Sequence, residues 1–400
     1  MGENMDKYSV LKKFFGYDTF KYPQDIIIDD VLQGKDVIGL LPTGFGKSII
    51  FQVLAMMLDG LSIIVSPLIA LMEDQVDKLK KKGIPATLLN SSIDEKEQNS
   101  IYQSLNHYKI LYVSPERLQN KSFQTHISKV EISMIVIDEA HTLLWAEGFR
   151  MAFGQIKDFI QALPYRPHLL ALTATATPFT LEKIKSYLNM RQPKIIDVPM
   201  DRENLFYRVE LPINKLEYLR KYISKHSKEK GIIYCLTRKE VEFLYQFFSD
   251  LQMNVVYYHG GLEQEVREKN QVLFTGGKSN LMICTNAFGM GIDIPDIRFV
   301  IEYSLPQSIE DLVQQVGRAS RDGAYGEGVV LFSFQDIKTV NYFISQQEDV
   351  KIRRQNQRKL DSLVDYCLTK KCRHVFLSEY FHNSQRPCGD YCDNCQKKGR

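Results

Sequence analysis

Two short segments carry residue types suited to phosphate chemistry. LPTGFGKS stands at Leu41–Ser48, and IDEAH at Ile137–His141. A glycine-rich turn feeding a helix presents backbone N–H groups to phosphate, and the helix N-terminus favours negative charge. Thr43, Gly44 and Gly46 lie in that turn. Lys47 is expected to reach the β- and γ-phosphates, and the Ser48 hydroxyl to hold Mg²⁺. Asp138 is expected on the same ion, with Glu139 orienting or deprotonating the attacking water. The pair reads as a nucleoside-triphosphate hydrolysis site. The strict loop pattern has Gly where this chain has Leu41, so a plain glycine turn is the competing reading. A solvated acidic turn competes for the second segment. Its carboxylates, however, directly follow an apolar run, where ligand crevices open in parallel sheets.

The elements that position these motifs recur along the chain. Apolar runs at Val37–Leu41, Ser62–Ser66, Ile110–Ser114, Met134–Asp138 and Leu169–Thr173 read as buried strands. Helical patterns fall between them, as at Ile49–Leu58 and Ile69–Lys82. A second set follows at Gly231–Leu236, Val255–His259, Leu281–Thr285, Phe299–Tyr303 and Val329–Phe334. Alternating strands and helices imply parallel sheets covered on both faces. The reading is two similar doubly wound α/β domains joined around Asp197–Glu210. The Lys80–Lys82 run reads as a solvated helix C-terminus, and Val350–Leu368 as a charged helix.

Length and composition bound the rest. Four hundred residues imply two or three domains. With 44% hydrophobic and 25% charged residues the composition is that of a globular protein, and a net charge of +3 neither demands nor excludes nucleic acid. No apolar run is long enough to span a membrane, and MGENMDKYSV lacks a signal-peptide core, so a cytoplasmic location is expected. Cys235 and Cys284 lie in apolar runs and read as small buried hydrophobes. Cys367, Cys372, Cys388, Cys392 and Cys395 cluster near the C-terminus, which argues for metal rather than disulfides.

Further segments follow strands of either set: Ser66–Val76, Val113–Leu118, Leu172–Pro178, Thr285–Ile301 and Gln314–Gly323. Arg318 and Arg321 stand three apart and share a face if the segment is helical. They could reach a γ-phosphate across a cleft and stabilise transition-state charge. Surface salt bridges are the alternative.

With these motifs in place, roughly residues 8–395 resemble the RecQ family of DNA helicases, in helicase superfamily two. The resemblance implies two tandem RecA-like doubly wound parallel-sheet domains followed by a small helical zinc-binding module. The expected boundaries are 1–200, 201–345 and 346–400. In Leu11–Ile27, Gln24 is expected to read the adenine edge, with Tyr17 and Lys21 beside the base. Lys21 stands where the family usually has arginine and offers no planar stacking face. Phe45 replaces a glycine common in the family's loop. Asp293 joins the nucleotide contacts, and Gln314, Arg318 and Arg321 complete the catalytic set.

The family's aromatic-rich loop after the DEAH box corresponds to His141–Arg150, in which Trp145, Phe149 and Arg150 match. It is one residue shorter than usual, with Glu147 where histidine is common. Burial of Trp145 in a core is the bland alternative. Ser66, Ser114, Thr173, Thr175, Thr285 and Asn286 are expected to contact single-stranded DNA or couple it to ATP. Cys372, Cys388, Cys392 and Cys395 would hold a structural Zn²⁺. The last three are spaced CxxxCxxC against the family's CxxCxxC, and Cys367 is a spare candidate.

The resemblance implies an ATP-dependent, Mg²⁺- and Zn²⁺-using DNA helicase moving 3′ to 5′. Its expected partners are single-stranded and tailed or forked duplex DNA, with single-strand-binding or repair proteins as candidates and no membrane. Many members continue into a winged-helix domain, whereas this chain ends five residues after Cys395. That departure raises a second reading, a translocase or remodeller with little unwinding. A nucleic-acid-binding scaffold with a regulatory ATPase and an RNA helicase are further alternatives.

Overall fold

The computed structural model describes residues 5–42, 44–67, 69–90, 93–147, 156–174, 176–198, 202–288, 294–381 and 385–398. The chain divides into two compact units, Met1–Pro199 and Met200–Arg400.

The first unit is built on seven parallel strands among the described residues: β1 Val37–Leu40, β2 Leu61–Val65, β3 Ala86–Leu89, β4 Ile110–Val113, β5 Ile132–Ile137, β6 His168–Thr173 and β7 Lys194–Asp197. Their order is β3-β4-β2-β5-β6-β1-β7. The central strands are nearly continuous Ile, Val and Leu because helices cover both faces of a parallel sheet. One face packs Ile38, Ile63, Ile135 and Ala171, while the other packs Val37, Ile64, Val136 and Leu170. Strand alternation thus feeds two separate cores.

The second unit carries β8 Leu205–Glu210, β9 Lys230–Tyr234, β10 Val255–Tyr258, β11 Leu281–Cys284, β12 Ile297–Glu302 and β13 Gly326–Leu331. All pairings are parallel, in the order β10-β11-β9-β12-β13-β8. The helix Val350–Leu368 lies where the sequence places it, and helices Arg373–Tyr380 and Asp393–Lys398 follow.

Three strands escape the sequence reading. β3 (ATLL) is short, and β7 (KIID) is largely exposed at the end of its sheet. The expected joint at Asp197–Glu210 contains the division between the units, after Pro199, and its second half is β8 (LFYRVE), an edge strand in which Arg208 and Glu210 interrupt the buried apolar residues.

Candidate active site and metal centre

The nucleotide-type site forms at the carboxyl edge of the first sheet. β1 ends at Leu40, and the helix Lys47–Met57 begins after a turn containing Gly44 (φ 76°) and Gly46 (φ 81°). A Cβ on Gly46 would sit 3.0 Å from Gln24 Nε2, so the left-handed backbone and the close approach both require glycine there. Gln24 is buried. Its Nε2 donates to the carbonyls of Phe45 (2.9 Å) and Gly46 (3.2 Å), and its Oε1 accepts from the Lys21 amide (2.9 Å). The residue expected to read a base therefore also splints the phosphate loop. Tyr17 and Lys21 are exposed nearby in sequence.

β5 delivers Asp138 beside this turn, its amide donating to the Val65 carbonyl at 3.0 Å. Glu139 adopts φ 49°, an uncommon backbone for a non-glycine residue, and its Oε1 lies 3.2 Å from Lys47 Nζ. Glu139 Oε2 lies 3.5 Å from His141 Nδ1, which lies 2.8 Å from Thr173 Oγ1. Two widely separated motifs and the end of β6 thus meet in one line of contacts. Burial and the charge of Glu139 push the Asp138 carboxyl up to about 6, against the pull of Lys47. The Ser48 hydroxyl and the Asp138 carboxylate are the hard oxygen donors that suit Mg²⁺.

The strand-end hydroxyls lie beneath the surface. Ser66, Ser114, Thr173 and Thr285 are all buried, and Ser66 Oγ has no hydrogen-bond partner among the described residues. Of the two roles expected for Thr173, its burial and its bond to His141 fit coupling rather than contact. Asn286 is exposed beyond β11. Thr43, Phe149, Arg150, Thr175 and Asp293 lie outside the described residues. Trp145 sits on the short helix Ala140–Glu147, and its side chain also lies outside them.

In the second unit, Gln314 lies on the helix Ile309–Val316, but that helix ends at Gly317. Arg318 and Arg321 therefore occupy the following turn and do not share a helical face, which corrects the conditional reading. Ser320 between them has φ 53°. Arg318 is buried near Tyr234, Cys284 and Glu302. Burial and neighbouring Asp311 push the Glu302 carboxyl well above its usual range, with Arg318 opposing them. The carboxyl edge of this sheet also presents residues the sequence reading passed over. Thr237 caps the helix Arg238–Asp250 in a capping box with Glu240. His259 is buried, accepts from the Gly261 amide through Nδ1 at 3.2 Å, and approaches Glu242 through Nε2 at 3.2 Å. The signal was the Thr237-to-Glu240 spacing directly after a strand.

The Sγ atoms of Cys372, Cys388, Cys392 and Cys395 all lie within 4.8 Å of one another. The Cys372–Cys388 and Cys372–Cys392 separations are 3.4 and 4.0 Å, bracketing the roughly 3.8 Å edge of a tetrahedron with Zn–S bonds of about 2.3 Å. The donor set therefore fits Zn²⁺. Cys367 stands apart in the hydrophobic core, where burial pushes its thiol up to about 12, so it is not the spare ligand. The cluster is tied to the sheet. Tyr207 of β8 donates its amide to the Tyr391 carbonyl (3.3 Å), and Val209 to Asp393 Oδ2 (3.3 Å). Arg373 grips both oxygens of Asp393 at 2.9 and 3.1 Å. Cysteine-module residues thus satisfy donors on the free side of an edge strand.

Comparison with known proteins agrees with this geometry. The profile for the DEAD/DEAH box helicase domain matches residues 21–184, the helicase conserved C-terminal domain 214–323, and the RecQ zinc-binding domain 334–396. The chain is 35% identical over 364 residues to the ATP-dependent DNA helicase RecQ of Synechocystis, covering 86% of this chain and 76% of that protein. This chain belongs to the RecQ family of helicases. It is also 37% identical to the ATP-dependent DNA helicase RecQ of Bacillus subtilis, over 97% of this chain but 66% of that protein, so it spans just under two thirds of that relative. Among solved structures it resembles the DUF1998 helicase MrfA bound to DNA and AMPPNP, with a TM-score of 0.71 at 18% identity, covering 97% of this chain and 59% of that one. That likeness establishes the fold of tandem RecA-like units, to which this RecQ member adds its zinc-binding module. No helix among the described residues is long and apolar enough to cross a membrane.

Proposed function

We propose that this RecQ-family chain hydrolyses ATP in response to single-stranded DNA, moves along that strand from 3′ to 5′ and separates duplex ahead of it. The observation that carries the reading is the contact line Lys47–Glu139–His141–Thr173, in which a phosphate-loop lysine meets the acid of the DEAH box and a strand-end hydroxyl.

In this reading residues 1–200 form the first helicase domain, 201–345 the second and 346–400 the zinc module. Tyr17, Lys21 and Gln24 hold the adenine. Thr43, Gly44, Gly46, Lys47 and Ser48 hold the phosphates, and Asp293 is a further nucleotide contact. Ser48 and Asp138 hold Mg²⁺, which screens phosphate charge when bound. Glu139 takes a proton from the attacking water or orients it, and Gln314, Arg318 and Arg321 stabilise charge on the transferred phosphoryl group. Trp145, Phe149 and Arg150 sense the strand, because base stacking on an aromatic ring contributes about 1–3 kcal/mol. Thr175 and Asn286 guide its backbone, and the buried Ser66, Ser114, Thr173 and Thr285 couple it to the ATP site, Thr173 through His141. The cytoplasm is the matching compartment.

Strand displacement on short duplexes tests the finer part. The reading expects ATP-dependent separation of a 3′-tailed duplex and little of a 5′-tailed one. Hydrolysis stimulated by single-stranded DNA with neither duplex opened would leave a translocase in place of a helicase. Preference for the 5′ tail would overturn the direction.

A further inference from the structure

The turn carrying Arg318 and Arg321 is held by residues far away in sequence that no catalytic motif contains. Arg202 Nη2 donates to the carbonyls of Ala319 (2.8 Å) and Ser320 (2.9 Å), and Nη1 to that of Gly317 (3.4 Å). Its Nε reaches Asn204 Oδ1 at 3.3 Å. Asn204 Nδ2 donates to the carbonyls of Ser320 (2.9 Å) and Ala324 (2.8 Å), and the Asn204 carbonyl accepts from the Gly326 amide at 3.0 Å. These two side chains engage four carbonyls of the turn between the helix Ile309–Val316 and β13, those of Gly317, Ala319, Ser320 and Ala324.

This pattern needs a cause. Carbonyls at a helix C-terminus lack intrahelical donors, and an arginine there satisfies them and complements the helix dipole. One or two bonds would suffice for that. Here the turn also contains a non-glycine residue at φ 53°, Ser320, a conformation that costs about 1–3 kcal/mol and persists only where its surroundings over-determine it. Arg298 supplies a further bond to Ser320 Oγ at 3.1 Å. A Cβ on Gly326 would lie 2.1 Å from that same oxygen, so glycine there makes room for Ser320. Burial lowers the basicity of Arg202, consistent with a guanidinium engaged by neutral carbonyls. A turn locked so heavily around Arg318 is what a transition-state arginine requires, since a misplacement of about 1 Å can cost about 10²-fold in rate.

We propose that Arg202, supported by Asn204, is a positioning residue that fixes the turn carrying Arg318 for phosphoryl transfer. The proposal rests on the catalytic reading of Arg318 given above. Arg202 is the third residue after Pro199, the last residue of the first unit, so the chain entering the second unit is the same chain that holds its arginine turn.

The test is steady-state ATP hydrolysis by the zinc-replete full chain with a dT oligonucleotide, for Arg202→Ala, Arg202→Lys, Arg318→Ala and Arg202→Ala/Arg318→Ala. Lysine keeps the charge but cannot fork across several carbonyls. We expect Arg202→Ala to lower kcat tenfold or more, with KM for ATP and DNA affinity within about twofold. Arg202→Lys should fall between it and wild type. The double variant should be no slower than Arg318→Ala alone, because the two residues act through one group. Unchanged kcat in Arg202→Ala, or losses that multiply in the double variant, would overturn the proposal. If Arg202→Ala loses zinc or fails to fold, Arg202→Lys decides in its place: full kcat overturns the proposal, and a loss masked by Arg318→Ala upholds it. If Arg318→Ala hydrolyses ATP normally, the catalytic reading of the arginine is itself wrong, and the proposal falls with it.

Discussion

The two units hold their candidate site residues in different ways, the first at the carboxyl edge of its sheet, the second in the turn ahead of β13 and along the edge strand β8. In the first unit the edge is organised by side chains that contact one another directly: Lys47, Glu139, His141 and Thr173. In the second unit the turn ahead of β13 and the edge strand β8 are organised through backbone. Arg202 and Asn204 hold the carbonyls of the arginine turn, and Tyr391 and Asp393 hold the amides of β8. Two units of similar topology therefore divide the work. One pre-assembles charged groups around a phosphate loop. The other stiffens a turn and an edge strand. Charge contacts are sensitive to pH and substitution of a single head group, whereas backbone capture is sensitive to loss of the framework.

The largest expected effect tests that framework. Cys392 is fully buried, and its Sγ accepts from the Arg373 amide at 3.4 Å. Cys392→Ser should abolish stoichiometric zinc, measured by elemental analysis. Metal binding in such clusters is folding free energy, so the melting temperature of the second unit should fall by about 10 °C or more. ATP binding by the first unit should persist. Equal loss in both units would break the comparison.

The next effect is electrostatic. The carboxyl of Asp138 titrates near 6, above the usual 3.8, because burial favours its neutral form. The unliganded fold is therefore penalised for ionising it. That penalty is absent below about 4, grows as pH rises, and is complete above about 6. Asp138→Asn should then raise unliganded stability at pH 7.5 by about 1–3 kcal/mol, with the gain shrinking toward pH 5, while hydrolysis is lost. Chemical denaturation at the two pH values reads this. A destabilised Asp138→Asn protein at pH 7.5 would show that the carboxylate is structural.

The smallest effect concerns a single bond. Thr173→Val removes the partner of His141 Nδ1 at 2.8 Å without changing shape. A neutral hydrogen bond contributes about 0.5–1.5 kcal/mol, so stimulation by single-stranded DNA should drop roughly three- to tenfold while DNA-free hydrolysis holds. An equal drop in both rates would assign Thr173 to the active site rather than to coupling.

What could be read from sequence followed burial. Central strands such as Ile63–Val65 and Met134–Ile137 are continuous apolar runs because helices cover both faces, and their ends located Lys47, Asp138 and Glu139. The four clustering cysteines were legible because thiols so close in sequence have few other roles. Edge strands β3, β7 and β8 were not: β3 is only four residues long, β7 is largely exposed, and charged residues interrupt β8 (LFYRVE). Whether the segment carrying Arg318 and Arg321 is helical was left open by their three-residue spacing, and the helix stops short of both, at Gly317. Arg202 and Asn204 carried no signal at all: their partners are carbonyls, which every residue has, more than a hundred positions away.

The most direct measurement is ATP hydrolysis by the purified zinc-replete chain, alone and with single-stranded DNA, duplex DNA or RNA, beside Lys47→Ala and Glu139→Gln. Strong stimulation by single-stranded DNA is expected, with both variants slower by about 10²–10⁴-fold, as loss of an active-site proton acceptor or charge produces. Glu139→Gln should still bind ATP. Activity indifferent to nucleic acid, or undiminished in either variant, would contradict a DNA-driven motor built on the Lys47–Glu139 contact.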